Sequence, residues 1–264
     1  MNKPWLLTGL PRSGTTLLAA LTDSMQESVC LSEPLWQLEL AKASPNAEAF
    51  AAALARDMQR LRTMLLTGQP VMDHRRVDGR PVTNYLNENG ERVVSPVPLV
   101  RGGLGADFLL AAKHNGLFLG ALPQLVASGQ FRIIALIRSP LEVLASWRMS
   151  PLPVSRGELP AASYFWPQLA SLQRAPMELL ERQIRLLDML YQRLYEQEKN
   201  LTLLRYESLV AQPMLLEDVV GRRLGKYDFS VIKQKAKPMD VPLEMVLKKL
   251  KDIAPHARYY YPDF

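Results

Sequence analysis

Short apolar runs that end in glycine or charge alternate, along this chain, with longer stretches in which apolar residues recur every three or four positions. PWLLTG (4–9) carries no charge and ends in Gly9, the pattern of a strand buried on both faces. GTTLLAALTDSM (14–25) follows with helical composition, and SVCLSE (28–33) reads as a second short strand. AEAFAAALARDMQRLRTMLL (47–66) is rich in Ala and Leu with its charges to one side, which predicts a helix. Ser44-Pro45 ahead of it predicts an N-cap and a first-turn proline. DFLLAAKHN (107–115), FRIIALIRSP (131–140) and LTLLRYESL (201–209) predict three more strands, separated by helices over 117–128, 140–150 and 176–199. A Pro-rich loop is expected over 151–161, and short helices with the aromatic ARYYYPDF close the chain. Strands that alternate with helices predict an α/β fold with a central parallel sheet flanked by helices, three layers in all.

Residues 67–105 break the alternation. Pro, Gly and Asn dominate there and periodicity fades, so the segment reads as a loop-rich insertion with a hairpin around NENG (87–90). Loops of that length usually serve function, and 67–105 and 151–175 are expected to shape a ligand pocket, with Tyr85, Tyr164, Phe165 and Trp166 as its aromatics or as core. No internal repeat or linker divides the chain, which reads as a single domain over 1–264.

Composition narrows the function classes. Of 264 residues 48% are hydrophobic and 22% charged, enough apolar material for a real core. The net charge of +6 suits an anionic ligand, yet Lys and Arg are dispersed and form no basic arm, so no nucleic-acid partner is expected. The single cysteine, Cys30, excludes an internal disulfide and a cysteine-rich metal site, and fits a buried thiol in a cytoplasmic protein. The apolar stretch at 4–10 is too short for a signal peptide, and no run approaches the ~18 apolar residues of a membrane span.

The chemistry concentrates in LLTGLPRSGTTLL (6–18). Gly9 and Gly14 stand at the spacing of a Walker-type phosphate loop, between a strand and a helix, but Thr15 replaces its lysine and Thr16 follows. Backbone N–H groups at such a turn point at an anion, and the helix adds its positive end. Arg12, inside the loop, supplies a planar fork suited to phosphate or sulfate oxygens. No apolar strand ends in the Asp of a magnesium site, since FRIIALI runs into Arg138. The loop reads as one built for an anion held without a metal. A Gly-Pro turn ahead of a helix is the plain alternative.

Three segments together resemble the sulfotransferases that use 3′-phosphoadenosine 5′-phosphosulfate. LPRSGTTLL resembles their phosphosulfate loop in its Arg-containing form, found in tyrosylprotein and many bacterial members. IRSPLEVLASW is similar to their 3′-phosphate motif, with Arg138 at a strand end and Ser146 eight residues on. LLRYESLVAQP resembles their R-Y-E-D-L stretch, with Ser208 in place of its Asp. The resemblance spans roughly residues 9–213 in family order. It implies that Arg12, Ser13, Gly14, Thr15 and Thr16 hold the 5′ end of the donor, Arg138 and Ser146 its 3′-phosphate, and Tyr206 its adenine. The two anion clamps are then expected apart, at opposite ends of an adenosine. The family's R-K-G stretch is absent, and KQKAKP (233–238) is its one possible substitute, more simply read as helix-surface lysines.

Sulfuryl transfer to a hydroxyl or amine acceptor, of a small molecule, saccharide or peptide, needs a base and cations for the leaving phosphate, and 3′,5′-bisphosphoadenosine is the product. Arg12 is the first choice for the leaving group. Glu33, after the second strand, stands where the tyrosylprotein-like members carry a Glu base. Its rival is His114, one residue after Lys113, whereas the cytosolic members place their His two after the Lys. Lys113 is expected near the transferred group, and His74 and His256 read as bystanders. An atypical P-loop kinase and a non-catalytic nucleotide-binding protein of the same fold are the alternatives. The acceptor's identity and the oligomeric state stay open.

Overall fold

The computed structural model describes residues 2–82, 94–226 and 240–263. Five parallel strands form the sheet: β1 (Trp5–Gly9), β2 (Ser28–Ser32), β5 (Leu109–Lys113), β6 (Arg132–Ile137) and β7 (Thr202–Arg205), in the order β2-β5-β1-β6-β7. A two-stranded antiparallel sheet, β3 (Val71–Asp73) with β4 (Val97–Leu99), stands apart from it. The helices are α1 (Thr15–Ser24), α2 (Leu35–Ala43), α3 (Ala47–Leu66), α4 (Asn115–Gly120), α5 (Leu122–Ala127), α6 (Pro140–Arg148), α7 (Pro160–Ser163), α8 (Pro167–Arg174), α9 (Leu179–Glu196), α10 (Tyr206–Ala211), α11 (Leu215–Val220), α12 (Leu243–Ile253) and α13 (Pro255–Tyr260).

Each strand alternates its side chains between two cores. Leu6, Leu31, Leu110, Ala112, Ala135 and Ile137 face a large core built with α3, α4, α6 and α9. Leu7, Cys30, Ala111, Ile134 and Leu136 face a smaller one with Leu18 and Leu21 of α1, Leu209 of α10 and Leu216 of α11. Helices therefore cover both faces, the three-layer α/β arrangement that the apolar runs predict. Cys30 is a buried free thiol, and burial pushes its pKa up. β1 lies at the centre, where the chain's order across the sheet reverses. The carboxyl ends of β1, β5 and β6 lie there, the region where sheets of this kind generally bind ligands.

Local structure departs from the sequence reading at several points. Asn46, not Ser44, caps α3, its side chain accepting the Ala49 N–H at 2.8 Å. The expected helix over 117–128 breaks at Ala121 into α4 and α5. The strand expected to reach Leu209 ends at Arg205, and Tyr206 opens α10. The insertion carries β3 and β4, and the 151–161 loop contains a 3₁₀ turn (Pro153–Arg156) and the start of α7. α2 was not expected. The NENG hairpin, Tyr85 and KQKAKP lie outside the described residues. Among the described residues no helix is long and apolar enough to cross a membrane.

Candidate active site

The loop between β1 and α1 depends on two glycines. A Cβ on Gly9, at φ +146°, would sit 2.2 Å from the carbonyl oxygen of Leu136, so only glycine lets β1 turn so close to β6. Gly14, at φ +94°, packs under the Tyr206 ring, where an added Cβ would stand 2.4 Å from Cδ2. Between them Arg12 adopts φ +71°, a left-handed conformation that costs a non-glycine residue roughly 1–3 kcal/mol. Trp147, fully buried on α6, fixes the loop from behind by donating its indole N–H to the Pro11 carbonyl at 2.8 Å.

Gly14 serves as N-cap of α1 without a side-chain cap, and the first turn holds no acidic residue. The amides there keep the geometry that holds an anion, with the helix dipole behind them. Ser13 is fully buried and turns its polar groups inward. Its N–H donates to Leu10 O at 3.0 Å and its hydroxyl to Leu136 O at 2.9 Å, so both donors are spent on closing the loop.

Arg12, Arg138, Ser146 and Tyr206 converge beside the loop. Arg138 leaves β6, places its guanidinium 4.6 Å from the Tyr206 ring centre, and donates to the Arg12 carbonyl at 3.3 Å. Glu142, one helical turn on, accepts from Arg138 at 2.9 Å. The Arg12 Nε donates to Ser146 Oγ at 3.1 Å. The two clamps expected to stand apart are thus in contact. One exposed arginine bridges the glycine loop and α6.

Two supporting residues escaped the sequence reading. Glu207 accepts from the Ser139 N–H, the N-cap of α6, and from the Tyr261 hydroxyl, both at 2.9 Å. Tyr191 of α9 donates to the Arg138 carbonyl and stacks on Tyr260 with ring centres 5.7 Å apart. The aromatic C-terminal segment therefore braces the Arg138 turn.

The second half of the site lies at the ends of β2 and β5. Glu33, φ +47°, is again left-handed, and its N–H donates to the Lys113 carbonyl at 2.8 Å. Lys113 is 1% exposed and donates to the Glu33 carboxylate at 2.6 Å. Burial pushes the Glu33 carboxyl up, but Lys113, His114 and His74 outweigh it and hold it below the usual carboxylate range. His114 caps α4: its Nδ1 accepts the Leu117 N–H at 3.3 Å, so a neutral imidazole carries its proton on Nε2. In that tautomer the remaining lone pair, on Nδ1, is engaged by the cap bond.

Ser32 Oγ, Trp36 Nε1, Asn115 Oδ1 and both amide atoms of Gln37 are buried without a hydrogen-bond partner. These residues flank Glu33 and His114 in the chain. Groups of this kind are costly unless something polar meets them. Phe165, stacked 5.0 Å from Phe50, and the buried Trp166 belong to the core, whereas Tyr164 is exposed. His74 and His256, expected to lack supporting neighbours, both have partners. His74 is fully buried with Nδ1 on the Ser32 carbonyl at 3.1 Å, and His256 pairs with Asp188 at 3.0 Å. Among the described residues no group of three or more His, Cys, Asp and Glu is arranged to hold a metal ion.

No protein-family model and no curated protein matches the chain. Among solved structures it is similar to a sulfotransferase of Mycobacterium tuberculosis, at 14% identity and a TM-score of 0.45 over 96% of this chain and 77% of the other. It is also similar to a sulfotransferase of Mycobacterium avium, at 12% identity and a TM-score of 0.43 over 100% of this chain and 77% of that one.

Proposed function

We propose that this protein is a sulfotransferase that moves a sulfuryl group from 3′-phosphoadenosine 5′-phosphosulfate to a hydroxyl or amine acceptor. The observation that carries the reading is the joined clamp of Arg12, Arg138 and Ser146 around an uncapped helix start, with a carboxylate–lysine pair at the ends of β2 and β5, the next two strands. The donor set fits the nucleotide. Arg12, Thr15, Thr16 and the amides of α1 would hold its 5′ phosphosulfate, Arg138 and Ser146 its 3′-phosphate, and the Tyr206 ring its base. When bound, the donor supplies a sulfuryl group whose bond to the phosphate oxygen breaks as the acceptor attacks.

Arg12 stabilises the charge that builds on the departing phosphate oxygen. Glu33 accepts the acceptor's proton. Lys113 pairs with Glu33 at rest. Drawing its ammonium toward a bound sulfonate oxygen removes the strongest influence that lowers the Glu33 pKa, so the carboxylate becomes a better base as the donor binds.

Calorimetry with 3′,5′-bisphosphoadenosine tests the reading. Binding is expected to be the same with and without magnesium, and weakened at least tenfold by Arg138→Ala. Labelled donor is then offered with a phenol, a monosaccharide and a tyrosine peptide. Binding that requires magnesium and prefers ATP would overturn the proposal in favour of a kinase, and nucleotide binding with no transfer to any acceptor would favour a non-catalytic protein.

A further inference from the structure

β2 is an edge strand, so half of its backbone polar groups have no strand to meet. Glu33 N–H reaches inward to β5, and the intervening residues Cys30 and Ser32 face outward. Side chains satisfy all four of their groups. Asp23 accepts the Cys30 N–H and Asp73 the Ser32 N–H, each at 2.8 Å. Arg75 donates to the Cys30 carbonyl at 2.8 Å, and the His74 Nδ1 to the Ser32 carbonyl at 3.1 Å. Arg75 ties the set together, with Nε on Asp73 at 2.8 Å and Nη1 on Asp23 at 2.6 Å, and Arg101 adds a further bond to Asp23 at 2.7 Å. Asp73 and His74 are fully buried. The segment 73–75 of the insertion thus replaces a sixth strand with side chains.

The last residue this lattice grips is Ser32, and the next is Glu33 in its left-handed conformation. Glu33 is held from one side by the Lys113 carbonyl and ammonium, and on the other it continues from the gripped Ser32. We propose that Asp73 and His74 are positioning residues: by gripping both backbone groups of Ser32 they keep the Glu33 carboxylate aimed at the acceptor. The inference rests on the reading of Glu33 as the proton acceptor.

Leucine, asparagine and glutamine at position 74 separate positioning from simple packing. Asparagine presents an N–H donor where the imidazole Nδ1 stands, and leucine presents none. With labelled donor and the phenol, monosaccharide and peptide acceptors, H74L is expected to lower turnover at least tenfold. The dissociation constant for 3′,5′-bisphosphoadenosine and the KM for donor should stay within twofold, and H74N should recover turnover to within threefold of the parent. In an E33Q background H74L should cost nothing more. An equal loss from H74L with and without Glu33, or a failure of H74N to recover, overturns the inference. If E33Q itself keeps full turnover, the base assignment fails, whatever position 74 does. If E33Q loses turnover and H74L does not, only the positioning role fails. Should H74L not fold, His74→Gln, which moves the donor by one bond, takes its place in the same comparison with H74N.

Discussion

Gly14→Ala tests whether the loop, Tyr206 and Arg138 act as one unit. The added methyl would lie 2.4 Å from Cδ2 and 2.6 Å from Cε2 of Tyr206. Carbon atoms rest about 3.5–4.0 Å apart, so the ring must retreat by roughly 1 Å or more. The backbone at φ +94° adds strain of roughly 1–3 kcal/mol for any side chain. A retreating ring also leaves the guanidinium of Arg138, now 4.6 Å from its centre, a contact worth roughly 0.5–1 kcal/mol in a half-exposed setting. A loss of about 2 kcal/mol in the free protein corresponds to a melting temperature lower by roughly 4–8 °C. Loosening of Arg138 alone weakens nucleotide binding by roughly two- to fivefold, and displacement of the α1 amides adds to that.

The measurements are thermal melting and calorimetry with 3′,5′-bisphosphoadenosine for the parent, G14A, Y206A and the double variant. Removal of the ring makes room for the methyl, so in the Y206A background G14A should cost only the backbone strain. A coupling of roughly 0.5–3 kcal/mol between the two positions is the expected result. Strict additivity, or a G14A protein that binds the nucleotide like the parent, would refute the idea that Tyr206 rests on the loop and holds Arg138 in place.

Three further outcomes follow from buried polar groups. The depressed Glu33 carboxyl contributes stability above the ordinary carboxylate range and loses it as pH falls through its lowered value. Lys113→Met should therefore cost roughly 1–3 kcal/mol at pH 7, and urea midpoints should show the cost shrinking at pH 4.5, where the unpaired carboxyl takes up a proton; a cost independent of pH would refute the pairing. Asp73 behaves in the opposite sense, because burial raises its carboxyl to about 6 despite Arg75 and two backbone N–H groups. The folded state keeps a proton that the unfolded chain has released, so stability falls as pH rises from about 4 to about 6 and is level above. The gap between the parent and D73N, followed by urea denaturation, should move across that window by up to about 3 kcal/mol. Trp147→Phe leaves the Pro11 carbonyl without its indole donor and should cost roughly 1–3 kcal/mol in stability, with weaker nucleotide binding by calorimetry, since the carbonyl it frees belongs to the loop.

What was legible in the sequence is what local spacing determines. The apolar run before Gly9, the Gly9–Gly14 interval and the helix after Gly14 define the loop, and Arg138 and Ser146 occupy one strand end and one helix. Long-range partners left no such trace. Asp73 and Arg75 meet Ser32 and Asp23 across 41 and 52 positions, and Arg12 meets Ser146 across 134. Nothing in DHRR shows that its side chains will complete a sheet edge. α2 escaped because it buries only Gln37 and Ala41, too narrow a stripe to signal a helix. LTLLRYESL looked like one strand because its apolar residues continue past Arg205. The chain turns there because Glu207 swings back to the Ser139 N–H and Leu209 drops into the smaller core.

Thr15, 3% exposed at the start of α1, brings no positive charge to the loop, which takes its cation from another position. Arg12 is exposed, and its left-handed backbone turns it out of the loop toward α6. The positive charge therefore enters from the rim, and a rim arginine reaches what a loop-top lysine does not, the hydroxyl of Ser146. Of the three non-glycine residues with positive φ among those described, two are Arg12 and Glu33, one at each end of the crevice. Each is held by contacts from a neighbouring element: Arg12 by Trp147 through Pro11 and by Ser146, Glu33 by Lys113 and, through Ser32, by Asp73 and His74. For the proposed transfer, which needs an anion and a hydroxyl brought in line, left-handed residues braced by neighbouring elements would hold Arg12 and Glu33 in place before any ligand arrives.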